Sequence, residues 1–124
     1  MAELAQFKGQ QYLNIETFRK NGTGVKTPVW FAQDGDVLFI WTEISSGKAK
    51  RIRSTARVNI APSKGDGTVT GEWVAAQATT DASPAALEHI KGLMSRKYGF
   101  MFTVFGWMGR LRKSQYVTIK LLLS

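Results

Sequence analysis

The sequence contains no cysteine and only one histidine in 124 residues. Without cysteine, disulfides, zinc–thiolate sites and thiol catalysis are excluded. The histidine, His89, has no acidic cluster near it, so we expect a helix-surface side chain rather than a metal ligand or a catalytic base. The nine acidic residues are too scattered to predict a carboxylate pair. The chain therefore carries no self-sufficient catalytic apparatus, and an enzyme of this sequence would need a cofactor.

Long hydrophobic runs are also absent. No stretch approaches the roughly 20 apolar residues that span a bilayer, and the first residues lack the apolar run of a signal peptide. We therefore expect a cytoplasmic protein without stable membrane insertion. The aromatic segment 100–108 could lie in a membrane interface, but burial against a barrel or a second subunit is favoured. With 124 residues, 44% of them hydrophobic, the chain is predicted to form a single domain over residues 1–124.

Negative charge is scarce as well. Seventeen Lys and Arg residues against nine Asp and Glu give a formal net charge of +8. No acidic residue follows Glu88, and residues 48–57 hold five cations and no acid. Such an excess indicates a partner that is nucleic acid, an anionic membrane surface or a polyanionic small molecule. The alternative is a solvated basic surface that only aids solubility.

The apolar patterning predicts a mainly β fold. Alternating or β-branched runs bounded by turn residues indicate six strands, at residues 11–20, 25–31, 37–42, 57–62, 68–79 and 116–123. The first three are predicted to form an antiparallel meander. Short helices are expected at residues 47–54 and after Ser83-Pro84, where Ser83 would be the N-cap and Gly99 would end the helix. The whole predicts an all-β barrel with helical decoration.

One segment combines a turn, a helix start and concentrated charge. Ser46-Gly47-Lys48 resembles a phosphate-binding P-loop, but Ala49 follows the lysine where that motif requires Ser or Thr. A weaker prediction remains, because a serine–glycine turn at a helix N-terminus offers unpaired amides to an anion. Lys48, Lys50 and Arg51 add fixed charge, so this turn is the predicted phosphate site.

Pro28 interrupts a strand pattern. Since proline cannot donate to a β-ladder, Pro28 indicates an edge strand, a bulge or a place where a ligand meets the strand. The four tryptophans are far apart in sequence and are predicted to be mostly core or interface residues, of which one or two could line an aromatic ligand.

These segments, in this order, resemble a known family. Val25-Lys26-Thr27-Pro28-Val29-Trp30-Phe31, the Asp34-Gly35-Asp36 turn, Trp41-Thr42, the Ser46–Arg51 segment and Val58-Asn59-Ile60-Ala61-Pro62 are similar to the split β-barrel flavin and deazaflavin oxidoreductases, the relatives of pyridoxamine 5'-phosphate oxidase. Within them the chain looks most like the small branch of F420-dependent enzymes. The resemblance is most specific over residues 25–62.

The resemblance implies a homodimeric, six-stranded antiparallel split β-barrel with cofactor sites at the subunit interface. The strand segment Lys26-Thr27-Pro28-Val29 would contact the cofactor ring, mainly through its backbone, and Thr42 would lie near the ring and ribityl chain. Lys48 and Lys50 would hold the phosphate, with Ser46 and Arg51 assisting. Trp73 and Trp107 are candidates for a contribution from the second subunit.

The implied activity is hydride transfer between reduced F420, or alternatively FMN, and a small planar or conjugated substrate. The excess of positive charge favours F420, whose phosphodiester and glutamate tail are more anionic than FMN. A non-catalytic carrier of the same cofactor is a second hypothesis. A barrel that binds single-stranded nucleic acid is disfavoured, because the aromatic residues share strands with apolar neighbours rather than forming a stacking platform.

Overall fold

The computed structural model describes residues 2–43, 45–99 and 116–123. The described chain contains three helices, α1 (Ala2–Ala5), α2 (Gly47–Ser54) and α3 (Pro84–Tyr98). Its seven strands are β1 (Tyr12–Phe18), β2 (Gly24–Trp30), β3 (Ala32–Asp34), β4 (Val37–Glu43), β5 (Arg57–Ser63), β6 (Val74–Asp81) and β7 (Tyr116–Leu123).

All seven strands belong to one antiparallel sheet in the order β2-β1-β5-β6-β7-β4-β3. The sheet curls so that one face of its long strands shares a single core. Alternate residues on these strands are fully buried there, as the period of two requires, including Leu13, Ile15, Leu38, Ile40, Val58, Ile60, Ile119 and Leu121. The mainly β, antiparallel fold expected from the sequence is therefore confirmed, and its sheet forms a half-barrel.

The opposite face of β4 is buried as well. Phe39 packs with Ala32 against Ile90 and Met94 of α3, and Trp41 lies at the edge of this second cluster. A strand covered on both faces reads as a continuous apolar run, which is why residues 37–41 show no alternation. Ser83 caps α3 by accepting a hydrogen bond from the Ala86 N–H at 3.2 Å, as its sequence position predicts.

The predicted strand pairing and strand number need correction. β1 and β2 form the expected antiparallel pair, but β4 pairs with β7 and β3 rather than continuing a meander from β2. The sheet has seven strands, not six, because the short β3 follows the predicted strand 25–31 and is separated from β2 by Phe31. The separation of β2 from β4 leaves β2 at one end of the strand order.

Contacts from α3 explain the division at Phe31. The Tyr98 hydroxyl accepts a hydrogen bond from the Phe31 N–H at 3.0 Å, and the Lys97 ammonium donates to the Phe31 carbonyl at 2.8 Å. Both backbone groups of Phe31 are thus satisfied by side chains instead of a ladder. The Phe31 ring enters the core and meets Phe7 edge-to-face at 6.0 Å. Burial lowers the pKa of Lys97 to about 8 and raises the pKa of Tyr98.

The long strand predicted over residues 68–79 is also wrong at its start, since β6 begins at Val74. Before it, the Gln6 side chain takes the place of a strand neighbour: its amide donates to the Glu72 carbonyl at 2.9 Å and accepts from the Glu72 N–H at 3.0 Å. Gly71 is required beside this contact, because a Cβ there would lie 2.5 Å from the Pro62 ring. The aromatic segment 100–108 lies outside the described residues.

Candidate functional site

The site begins where β4 ends and α2 starts. Ser46 is the N-cap of α2, since its hydroxyl accepts a hydrogen bond from the Ala49 N–H at 3.1 Å. The Thr42 hydroxyl, near the end of β4, donates to the Ser46 oxygen at 3.0 Å. This second bond ties the helix start to the sheet. The unpaired N–H groups of the first turn of α2 therefore lie at a defined position beside β4.

Lys48 lies in this first turn and is half-buried. Burial lowers its pKa, and the neighbouring Arg51 charge lowers it further. No acidic side chain forms an ion pair with Lys48 or Arg51 among the described residues. Two close cations that lack an acidic partner among the described residues, next to the positive end of a helix, form a site that a bound anion would stabilise.

Arg51 lies one helical turn further on, and its side chain folds back over the helix start. A Cβ placed on Gly47 would lie 2.7 Å from Arg51 Nη1, so the guanidinium occupies the space that the glycine leaves. The Arg51 Nε–H donates to the Thr17 hydroxyl at 2.6 Å. Thr17 is 1% exposed and is held near the end of β1.

Thr17 is the member of this site that the sequence analysis missed. It follows Leu13 and Ile15 at alternating positions, so it points into the same apolar core. A polar side chain at an inward strand position needs a hydrogen-bond partner. The inward position of Thr17 was therefore the feature of the sequence that could have indicated a polar contact there. The structure supplies Arg51 as that partner, a residue 34 positions away in sequence.

The structure gathers some of the predicted residues and not others. Thr42, Ser46, Lys48 and Arg51 lie together at the start of α2. Lys50 is on the same helix, and its exposed side chain makes no hydrogen bond or ion pair with the other described residues.

The β2 residues alternate between the two faces of the sheet. Thr27 lies opposite Ile15 and Val29 opposite Leu13, so both share the inner face with the core. Lys26 and Pro28 occupy the outer face, opposite Glu16 and Asn14. β2 pairs with β1 alone among the described strands, so Pro28 lies on an edge strand, as its missing N–H predicts.

Lys26 and Trp73, both predicted to lie near the cofactor, contact each other, and His89 lies on α3. The Lys26 ammonium lies 5.2 Å from the centre of the Trp73 ring, a cation–π contact within one chain. His89 is exposed on α3, where its Nε2 lies 3.0 Å from the Asp34 carboxylate. The surface position expected for His89 is confirmed. Trp107 lies outside the described residues.

Within residues 2–43, 45–99 and 116–123, no group of three or more His, Asp or Glu side chains could hold a metal ion. None of the helices in these ranges has the length and apolarity needed to cross a bilayer.

No protein-family model matches the chain, and no curated protein does so either. Solved structures do match. A candidate pyridoxamine 5'-phosphate oxidase from Listeria innocua superposes with a TM-score of 0.69 at 15% identity, covering 98% of this chain and 90% of its own. A structure described as an F420 reductase matches with a TM-score of 0.65 at 17% identity, covering 100% and 94%. An FAD-binding protein from Mesorhizobium loti matches with a TM-score of 0.70 at 14% identity, covering 99% and 88%.

The same fold also serves other activities. A heme storage protein from Vibrio cholerae matches with a TM-score of 0.73 at 12% identity, covering 97% of this chain and 86% of its own. These superpositions establish the fold. Because the sequence identities are so low, they do not establish the function, which has to be argued from the site. At the level of fold the resemblance seen in the sequence is confirmed: this chain has the split-barrel fold of the pyridoxamine 5'-phosphate oxidase-like proteins.

Proposed function

We propose that this chain is an oxidoreductase that binds a flavin or deazaflavin cofactor through its phosphate at the start of α2. The observation that carries the proposal is the pair Lys48 and Arg51, two neighbouring cations with no acidic partner among the described residues. Charge-assisted hydrogen bonds to a phosphate would satisfy both cations and the free amides of the helix start. Ser46 and the exposed Lys50 would complete this phosphate site.

The unpaired edge of β2 fits the flat part of such a cofactor. Backbone groups of Lys26 to Val29 on that edge are available to a ring system, because no described strand pairs with them there. Thr42 would lie at the phosphate end of the proposed site, because its hydroxyl bonds to Ser46. The bound cofactor would supply the hydride chemistry, while the protein would position the cofactor and the substrate.

Within this proposal, coenzyme F420 is favoured over FMN. The net charge of +8 and the absence of acidic residues after Glu88 suit the more anionic of the two ligands. The match to an F420 reductase supports the same choice. The substrate would be small and planar or conjugated, and the protein would act in the cytoplasm.

Non-catalytic carriage of the same cofactor is the second candidate function. His89 is the only histidine of the chain, and its side chain is engaged with Asp34 on the surface of α3, not with the start of α2. A heme storage protein shares the fold, so binding without turnover has a precedent in this architecture. Turnover with reduced cofactor would separate the two functions.

Titration of the purified protein with cofactors tests the proposal. We expect F420 and FMN to bind and to quench tryptophan fluorescence, and riboflavin, which lacks the phosphate, to bind at least tenfold more weakly than FMN. The tighter of F420 and FMN identifies the cofactor. Equal affinities for FMN and riboflavin would contradict a phosphate site, and failure of both F420 and FMN to bind would end the proposal.

We also propose that two chains associate. The outer face of β7 exposes Leu122, whose accessibility of 54% is the largest among the big apolar side chains that the structure describes. Neighbouring Gln77 and Thr79 on β6 are exposed on the same face of the sheet. A second copy packed there would bury this strip. Light scattering at micromolar concentration should return twice the 13.8 kDa of one chain, and a mass of 13.8 kDa would refute the dimer.

A further inference from the structure

We propose that Thr17 is a positioning residue that sets the orientation in which Arg51 meets the phosphate. The inference rests on the phosphate site proposed above and adds a residue on β1, outside the helix that carries the charge. Its basis is the 2.6 Å hydrogen bond from Arg51 Nε to the Thr17 hydroxyl.

The geometry of a guanidinium makes this contact informative. Arginine can meet an oxyanion along the edge formed by Nε and one terminal nitrogen, or end-on through both terminal nitrogens. Because Thr17 takes the Nε–H, the terminal pair Nη1 and Nη2 is left for the ligand. An end-on contact with two non-bridging phosphate oxygens follows, and phosphomonoesters and phosphodiesters both provide them.

Gly47 fixes the other end of the same guanidinium. Arg51 Nη1 lies 2.7 Å from the position that a Cβ on Gly47 would take, so the terminal nitrogens rest directly against the helix start. Gly47 belongs to the first turn of α2, where the N–H groups at the start of a helix lack intrahelical partners. Thr17 holds the Nε end of the guanidinium, and the missing side chain of Gly47 leaves room for its terminal nitrogens beside this turn.

The burial of Thr17 makes the arrangement rigid. Thr17 is 1% exposed on β1, the second strand in the sheet order, with the fully buried Ile15 two residues before it. A long arginine side chain loses rotamer freedom when a ligand binds it, unless the protein has already ordered it. Thr17 therefore raises phosphate affinity by ordering Arg51 before the ligand arrives.

Thr17→Val removes the hydroxyl and keeps the shape, whereas Thr17→Ser keeps the hydroxyl. We expect Thr17→Val to weaken FMN binding about five- to tenfold and to leave riboflavin binding unchanged, with Thr17→Ser close to the parent. The matched control is Thr118→Val, which removes the hydroxyl of another threonine that is 1% exposed, on β7. It should change neither affinity.

Gly47→Ala separates a role in phosphate binding from a role in stability alone, because the two roles predict different combinations of melting temperature and FMN affinity. Alanine favours a helix over glycine, so the melting temperature should hold or rise. Its Cβ displaces the Arg51 terminus, so FMN affinity should still fall. If Thr17→Val lowers only the melting temperature, or lowers FMN and riboflavin affinity equally, the positioning role is refuted.

Inorganic phosphate separates this inference from the cofactor proposal. We expect phosphate to shift the Gly47 amide resonance in the parent, with weaker binding in Thr17→Val. If phosphate behaves in this way while FMN and F420 do not bind, the cofactor proposal fails and the positioning role stands. If phosphate leaves the Gly47 amide of the parent unmoved, the positioning role itself is overturned.

Discussion

Replacing Lys48 and Arg51 together with alanine should lower the affinity for the phosphorylated cofactor by about 10²- to 10⁴-fold. Each charge-assisted hydrogen bond to phosphate is worth roughly 1.5–3 kcal/mol, and tenfold in affinity corresponds to about 1.4 kcal/mol. The two cations lie together and have no acidic partner among the described residues, so both would be available to bind a phosphate. Fluorescence titration with FMN and F420 measures the loss.

The control for this pair has to remove the same charge elsewhere. Lys64 and Arg96 are exposed, on the turn after β5 and on α3 respectively. Alanine at both positions lowers the net charge equally but should change affinity by no more than a few-fold, since exposed, distant charges are screened. If the control weakens binding as much as Lys48→Ala with Arg51→Ala, general attraction to a basic protein explains the binding.

The pH dependence of binding gives an independent check on Lys48. Its pKa is lowered in the free protein, first by burial and then by Arg51, and a phosphate bound there would raise that pKa again. Binding is therefore linked to proton uptake, and affinity falls as the pH rises through the lowered pKa of Lys48. Lys48→Ala should lose this part of the pH dependence.

Tyr98→Phe should lower the free energy of unfolding by about 2–4 kcal/mol, through the loss of the hydroxyl alone. That hydroxyl accepts from the Phe31 N–H at 3.0 Å and lies 2.5 Å from the Gln11 carbonyl, to which it donates. Without it the Phe31 N–H is left unpaired where the strand is interrupted. The ring itself stays in place, because Trp30 stacks on it at 4.4 Å and phenylalanine keeps that contact.

Urea denaturation measures this change, with Tyr12→Phe as the matched control. Among the described residues the Tyr12 hydroxyl makes no hydrogen bond, so its removal should cost less than about 0.5 kcal/mol. Equal effects of the two variants would show that Tyr98 does not hold the β2–β3 break. An unchanged m-value would confirm that the variants alter stability and leave the denatured state alone.

The local parts of this fold could be predicted because their causes are local. Ser83-Pro84 starts α3 and Gly99 ends it, and Ser46 caps α2, since caps depend on residues within one turn of the helix end. Most strands follow from alternation with a period of two. The phosphate site was predicted at Ser46–Arg51 for the same reason, because a capped helix start and its charges lie within six consecutive residues.

The pairing of β4 could not be predicted in this way. Its partner β7 comes from the last residues of the chain, and the choice between β2 and β7 depends on which arrangement buries both faces of β4. Alternation identifies a strand but not its neighbour. A meander was the simplest arrangement for consecutive strands, and the tertiary structure replaced it with a sheet in which β2 and β4 are separate.

By itself the sequence determined a mainly β chain, two helices, the Ser83 cap of the second helix and the basic start of the first. Only the tertiary structure decided that Phe31 lies between two strands, β2 and β3, because Tyr98 and Lys97 contact it from 66 or more positions away. Only the tertiary structure joined Thr17 to Arg51. Short-range preferences are set by neighbouring residues, whereas a hydrogen bond between distant side chains exists only once the core has brought their strands and helices together.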